Sequence, residues 1–375
     1  MIPLNEKLSP LQLSGIRCYT QLAKNTDDCV MLTIGEPDFQ TPQPIKDAAW
    51  QALQDGKTHY APNQGTLRLR QAIAEHETRR GNACTEKNIL VTQGATGALF
   101  TALLGILNPG EQVIVPTPAF PLYESIIAVA GATAVKLNTA ADSFQLTKDA
   151  LEKAVTPKTK AIILNSPNNP TGVVYSEASL AAVKQAVLGK DIYVICDNVY
   201  QSLCSGACPD LSVDPELKGQ ILLCQSFSKP YAMTGWRAGY LAAPENVLSR
   251  LLLLHAAQVA SVPTFVQEAC VTALETDISA MAEAYKKRRQ YVCARLEKMG
   301  LSFPEPDGAF YVFADISRFG MASGSFCEEM IRKARVAAVP GSCFGTEGYI
   351  RISCCCSMDD LQKGMDRLEA FIKKL

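Results

Sequence analysis

Between about residues 89 and 242 the chain alternates short, almost wholly apolar runs with longer stretches whose apolar positions recur at helical spacing. The apolar runs at Ile89 to Thr92, Val113 to Val115, Ala161 to Leu164, Ile192 to Cys196, Ile221 to Gln225 and Gly239 to Ala242 predict β-strands. They show little in-out alternation, as expected of strands covered on both faces. Helices are predicted between them, including Thr96 to Leu107 and Ser176 to Leu188. Strands alternating with helices predict an α/β fold built on a mostly parallel sheet with crossover helices.

The texture changes after about residue 275. A long charged helix carries Lys286, Lys287, Arg288 and Arg289, followed by strands at Phe310 to Phe313 and Tyr349 to Ser353. The last helix opens on Ser357-x-x-Asp360 and repeats Leu361, Met365, Leu368 and Ile372 on one face. These patterns predict a large α/β domain over 45–270 and a smaller α+β domain over 275–375. The N-terminal segment 1–44 is expected to pack with the smaller domain.

Composition narrows the function classes. At 47% hydrophobic and 19% charged, 375 residues are enough to bury a sizeable core. A formal charge of −1 gives no reason to expect nucleic acid or an anionic membrane as partner. The apolar run Leu251 to Leu254 is broken by His255 and Gln258, far short of the roughly 20 residues of a membrane span. The opening MIPLNEKLSP lacks a basic region followed by an apolar one, so the cytoplasm is the expected compartment. Fourteen cysteines, with Cys204/Cys208 and Cys354-Cys355-Cys356 as clusters, form no CxxC pair, so free thiols are expected and no metal site.

Candidate chemistry concentrates in SFSKPYAMTGWRAGY, Ser226 to Tyr240. It follows a predicted strand, so Lys229 lies just past a carboxyl end, where open α/β sheets place ligands. Ser226 and Ser228 flank the lysine, and Arg237 follows eight residues on. An amine beside hydroxyls and a guanidinium suits a phosphorylated aldehyde; alternatively the segment is a solvated surface loop. Gly94-Ala95-Thr96 joins a strand to a helix, where backbone N–H groups can face a phosphate, although a plain turn explains the glycine equally well. Asp197 ends the strand IYVIC, as a buried partner for a cationic nitrogen or as a helix N-cap.

The lysine segment resembles the pyridoxal-phosphate signature of class I/II aminotransferases, and the resemblance spans nearly the whole chain. TIGEPDF (Thr33 to Phe39), THYAPNQG (Thr58 to Gly65), TQGATGAL (Thr92 to Leu99), NSPNNPTG (Asn165 to Gly172), DNVY (Asp197 to Tyr200) and YIRIS (Tyr349 to Ser353) resemble family motifs in the same order. Ser166 and Asn198 stand where the family often has Pro and Glu. The resemblance implies the fold type I architecture and pyridoxal 5′-phosphate as cofactor, bound covalently through Lys229.

It further implies that Gly94, Ala95, Thr96, Ser226, Ser228 and Arg237 hold the phosphate, and that Phe120 stacks on the ring. Asp197 would face the ring nitrogen, with Asn169 and Tyr200 on the phenolic oxygen. Arg351, Gly35 and Asn169 would bind the substrate, Arg351 clamping its α-carboxylate. Tyr60 would reach the phosphate of a neighbouring subunit, which implies a homodimer with shared sites.

The implied substrates are an L-amino acid and a 2-oxo acid. The stretch LSGIR (Leu13 to Arg17), TIGEPDF and CSMDDLQKGMDRLE look closest to N-acetyl-L,L-diaminopimelate aminotransferase, with aspartate, aromatic and kynurenine enzymes as near relatives. Glutamate and 2-oxoglutarate are the expected second pair. Arg17 is the candidate for a distal carboxylate, or a solvated arginine at a helix start. A β-lyase (C–S lyase) of the same fold and a non-enzymatic cofactor-binding regulatory domain are the alternative readings.

Overall fold

The computed structural model describes residues 2, 5–9, 11 and 15–375. Leu13 and Ser14 of the LSGIR stretch lie outside them. Every predicted strand of the large sheet forms, and one further strand joins them. In spatial order the seven strands are Ile89–Thr92, Gly239–Ala242, Ile221–Ser226, Tyr193–Asp197, Thr159–Asn165, Gln112–Thr117 and Thr133–Asn138. Only Gly239–Ala242 runs against its neighbours. The additional strand, Thr133–Asn138, sits at an edge with a half-exposed, partly polar sequence (TAVKLN), so no apolar run announces it.

Alternation is present in the central strands, but it separates two apolar faces. Val91, Ile114, Ile162, Val194 and Leu223 join one core cluster. Their chain neighbours Leu90, Val113, Ile163, Ile195 and Leu222 join the other, against the Gly94–Ile106 and Glu245–Val259 helices. A continuous apolar run is what such a doubly covered strand needs.

A second body of apolar residues gathers the C-terminal third. The antiparallel strands Tyr311–Asp315 and Tyr349–Ser353 pack with the Ser279–Lys298 and Met358–Ile372 helices, and Val339–Pro340 joins the sheet beside Tyr349–Ser353. The last helix starts as its sequence predicts: the Ser357 hydroxyl accepts from the Asp360 N–H at 3.1 Å. The N-terminal segment joins this body, because Val30–Met31 pairs in parallel with Val336–Ala337 and Ser353 N–H donates to Leu32 O.

The basic stretch of the Ser279–Lys298 helix is less solvated than its sequence suggests. Arg289 is 2% exposed and donates to the carbonyls of Pro306 and Ala309 and to the Ser205 hydroxyl. Arg288 holds Asp38 bidentately at 2.7 and 2.8 Å, so it ties the TIGEPDF stretch to this helix. No helix among the described residues is long and apolar enough to cross a membrane.

Candidate active site

The parallel strands deliver their carboxyl ends to one edge of the sheet, and the reversed strand begins there. Thr92 and Ser226 both pair with Gly239, the first residue of that strand, and Asn165 pairs with Asp197. Gly239 permits the crowding: a Cβ on it would meet Gln225 O at 2.5 Å and the Gly94–Ala95 peptide at 2.7–2.8 Å. Above this edge lies a cavity of about 300 Å³.

The cavity brings together Gly35, Ala95, Thr96, Phe120, Asn169, Asp197, Tyr200, Ser226, Ser228, Lys229, Arg237 and Arg351. Gly94 stands directly behind its wall at φ +69°, opening the Gly94–Ile106 helix. Its missing side chain makes room for Arg237, whose Nη2 would lie 2.7 Å from a Cβ there. Two expected residues stand elsewhere. Tyr60 is 92% exposed and outside this chain's cavity. Arg17 lies on the exposed side of the Gly15–Lys24 helix, and the cavity is lined instead by the preceding residue, Ile16.

Asp197 is buried, and burial pushes its carboxyl up to about 6, against the opposing pulls of a Tyr123 hydrogen bond, the Val199 backbone N–H and Lys229. Its Oδ2 accepts from the Tyr123 hydroxyl at 2.5 Å, whereas its Oδ1 has no hydrogen-bond partner among the described residues. An orphaned buried carboxylate oxygen in a residue that lines a cavity is a ready acceptor for a cationic ring N–H. Around it, Asn165 Nδ2 donates to Asp197 O at 2.9 Å, and Asn165 Oδ1 accepts from Asn169 N at 2.8 Å. Asn198, the departure from the family pattern, points away and donates to Asp210 at 3.0 Å. Ser166, the other departure, accepts from Tyr175 N at 3.0 Å and so steadies the same loop.

The cavity's cations are held by carbonyl and amide oxygens, although Arg351 Nε has no partner among the described residues. Lys229 Nζ donates to Gly35 O at 2.6 Å, and desolvation holds its pKa below the ordinary lysine value, with Arg351 and Arg237 adding to the effect. Arg351 is 2% exposed; it donates to Asn169 Oδ1 at 2.9 Å and Thr33 O at 2.7 Å, over the Tyr311 ring at 4.4 Å. Arg237, in the left-handed region at φ +53°, donates to Thr234 O at 2.7 Å and makes no ion pair among the described residues. An arginine beside the first turn of a helix is suited to a phosphate dianion.

Sequence reasoning left out two tyrosines. Tyr123 sits one helical turn after Phe120 and packs edge-on against it at 5.9 Å while holding Asp197. Tyr311 shares a 3.1 Å contact with the Tyr200 hydroxyl and nearly touches Gly35, where a Cβ would meet its oxygen at 2.2 Å. The spacing from Phe120 was a signal for Tyr123. Nothing local marks Tyr311, because its partners come from distant segments.

The chain is similar to known proteins along nearly its whole length. The family model "Aminotransferase class I and II" matches residues 27–368. A probable N-acetyl-LL-diaminopimelate aminotransferase of Bacillus subtilis is 41% identical over 99% of this chain and 96% of that protein. Aromatic-amino-acid aminotransferase 2 of Thermococcus litoralis is 38% identical over 99% of this chain and 98% of that protein. The solved aspartate aminotransferase of Thermotoga maritima superposes with a TM-score of 0.94 at 35% identity, covering 99% of this chain and 100% of that one.

The buried carboxyl makes a pH prediction for the protein without cofactor. Asp197 has a folded-state pKa of about 6 against an ordinary 3.8, so between those values the folded chain keeps a proton that the unfolded chain has lost. Its contribution to stability is therefore full below the lower value and is lost as pH rises through the upper one. Urea unfolding of the apo protein at a series of pH values should show this fall, and Asp197→Asn should flatten it. Parallel wild-type and variant profiles would show that Asp197 titrates normally in the fold.

Proposed function

The chain belongs to the class I and II aminotransferases, and from that premise we propose how its own residues carry amino transfer with pyridoxal 5′-phosphate. It is a fold type I α/β transaminase, and the family works with this cofactor. The observation that supports the residue assignments best is the orphaned Asp197 Oδ1, buried opposite a lysine and two arginines. Bound there, pyridoxal phosphate supplies an electron-accepting ring that stabilises the charge left when a substrate loses its α-proton.

Asp197 Oδ1 accepts from the ring N–H⁺ and keeps that nitrogen protonated. Phe120 would lie against the ring, and Tyr200 with Asn169 would serve its phenolic oxygen. Arg237, Ser226, Ser228 and the Gly94-Ala95-Thr96 turn hold the phosphate. Lys229 would hold the cofactor's aldehyde end, and its free Nζ would take the substrate's α-proton, a task that its lowered pKa favours. Arg351 clamps the α-carboxylate, replacing its bond to Asn169 or Thr33, and Gly35 borders the same group.

The same reading divides the chain into an N-terminal segment 1–44, a large cofactor domain 45–270 and a small domain 275–375. The working unit is a homodimer with shared sites. Tyr60, 92% exposed, reaches a partner's phosphate, and Trp50 and Leu253, each 64% exposed, belong to the covered face. Fourteen free thiols suit a reducing compartment, the cytoplasm.

The donor is N-acetyl-L,L-diaminopimelate, or aspartate or an aromatic amino acid, with glutamate and 2-oxoglutarate as the second pair; the named relatives support this range. Lys229, Arg237 and Arg351 are all assigned, so a distal carboxylate finds no further cation among the described lining residues. Arg17, next to the lining residue Ile16, is the nearest chain position proposed to supply one by turning inward.

Half-reactions followed by cofactor absorbance test these assignments. Lys229→Ala should abolish transamination, and borohydride trapping in the wild type should label Lys229; a label on another lysine would redirect the mechanism. Arg17→Ala should weaken glutamate at least several-fold and leave alanine nearly unchanged, because a buried unpaired carboxylate is costly. An equal fall for both donors would mean that Arg17 only supports its helix. Sedimentation at micromolar concentration should give a dimer, and a fully active monomer would refute shared sites.

A further inference from the structure

A smaller cavity of about 230 Å³ adjoins the first, on the face of the Gly94–Ile106 helix turned towards the Glu245–Val259 helix. Thr96 and Arg237 line both cavities. The smaller one is closed by Gln93, Phe100, Gln258 and His255. His255 is 1% exposed, and neither Nδ1 nor Nε2 has a hydrogen-bond partner of good geometry among the described residues. Desolvation holds its pKa below the ordinary histidine value, and a backbone hydrogen bond with Asn63 opposes it.

Packing alone does not account for this side chain. His255 follows Leu251–Leu254 and precedes Ala256 and Ala257 on the helix, where an apolar residue would fill the space without burying two polar atoms. A neutral imidazole brings one N–H and one bare nitrogen to the cavity wall. At about 30 Å³ per water, the space suits several waters, and its polar lining suits their hydrogen bonds.

We infer that His255 is a positioning residue for the phosphate end of the cofactor, acting through water in this side cavity on Arg237 and Thr96. Arg237 is exposed, and beyond its bond to Thr234 O it has only a long 3.5 Å contact from Nη2 to Gln93 O. A phosphate draws one edge of the guanidinium into the main cavity. Water accepting from its other edge and donating to the bare nitrogen of His255 keeps the group from swinging out to solvent. The inference rests on the assignment of Arg237 and Thr96 to the phosphate.

The test measures cofactor binding rather than turnover. Cofactor-free wild type, His255→Phe, His255→Gln and Arg237→Ala are titrated with pyridoxal phosphate, and the ³¹P resonance of the bound phosphate is recorded. His255→Phe should bind about tenfold more weakly with a displaced ³¹P signal, the loss expected for one charge-assisted network. His255→Gln, which keeps a donor and an acceptor, should restore both readouts. His255→Leu offers the same apolar comparison if phenylalanine does not fit. Wild-type affinity with an unmoved signal in the apolar variants overturns the inference, and so does an equal loss in the Gln variant, which marks a packing role. Wild-type affinity in Arg237→Ala is a separate failure, that of the phosphate assignment itself.

Discussion

A carboxylate buried at the end of a strand is the constraint around which this site is arranged. Asp197 loses its water to the fold, and a carboxylate so placed needs partners or a proton. The chain supplies one partner, the Tyr123 hydroxyl, and leaves the second oxygen buried and unpaired among the described residues, in a residue that lines the cavity. The surrounding hydrogen bonds preserve that arrangement: Asn165 fixes the Asp197 carbonyl and the Asn169 backbone at once. The incomplete pairing gives a cationic ligand nitrogen something to complete.

The rest of the cavity has the opposite sign. Lys229, Arg237 and Arg351 converge on a space in which Asp197 is the lining carboxylate, and each cation is held by carbonyl or amide oxygens. Neutral partners orient a cation without cancelling its charge, so it remains attractive to phosphate and carboxylate groups. Desolvation, with the neighbouring arginines, also disfavours a charged amine at Lys229, which suits the nucleophile and base proposed for it. One field thus serves two anionic groups and one reactive amine.

The site also depends on joining distant parts of the chain. Arg351 reaches back 318 positions to Thr33 O, and Lys229 reaches 194 positions to Gly35 O. The TIGEPDF stretch is held from the other side by Arg288 on Asp38, and Arg367 and Lys363 hold Asp28. Gly35 admits the Tyr311 hydroxyl into the space its own side chain would have taken. A segment bonded at so many points makes a firm wall for the cavity that Gly35 lines.

Much of this was legible in the order of residues. Continuous apolar runs determined the buried strands, because a strand covered on both faces leaves no polar position to show. The motif spacing brought Lys229, Asp197, Asn169 and Arg237 to one edge of the large sheet, since each lies at a strand end or in the loop that follows it, whereas Arg351 comes from the middle of a strand in the smaller sheet. Local sequence determines such placements. It does not determine contacts between segments far apart in the chain. Tyr123 on Asp197, Tyr311 on Tyr200 and the buried Arg289 became visible only with tertiary packing. The same holds for Ile16 taking the lining position beside an exposed Arg17, and for His255 facing a cavity with neither nitrogen paired in good geometry among the described residues. Helical phase is read from the chain, but which face meets a cavity depends on the neighbour that leaves the space.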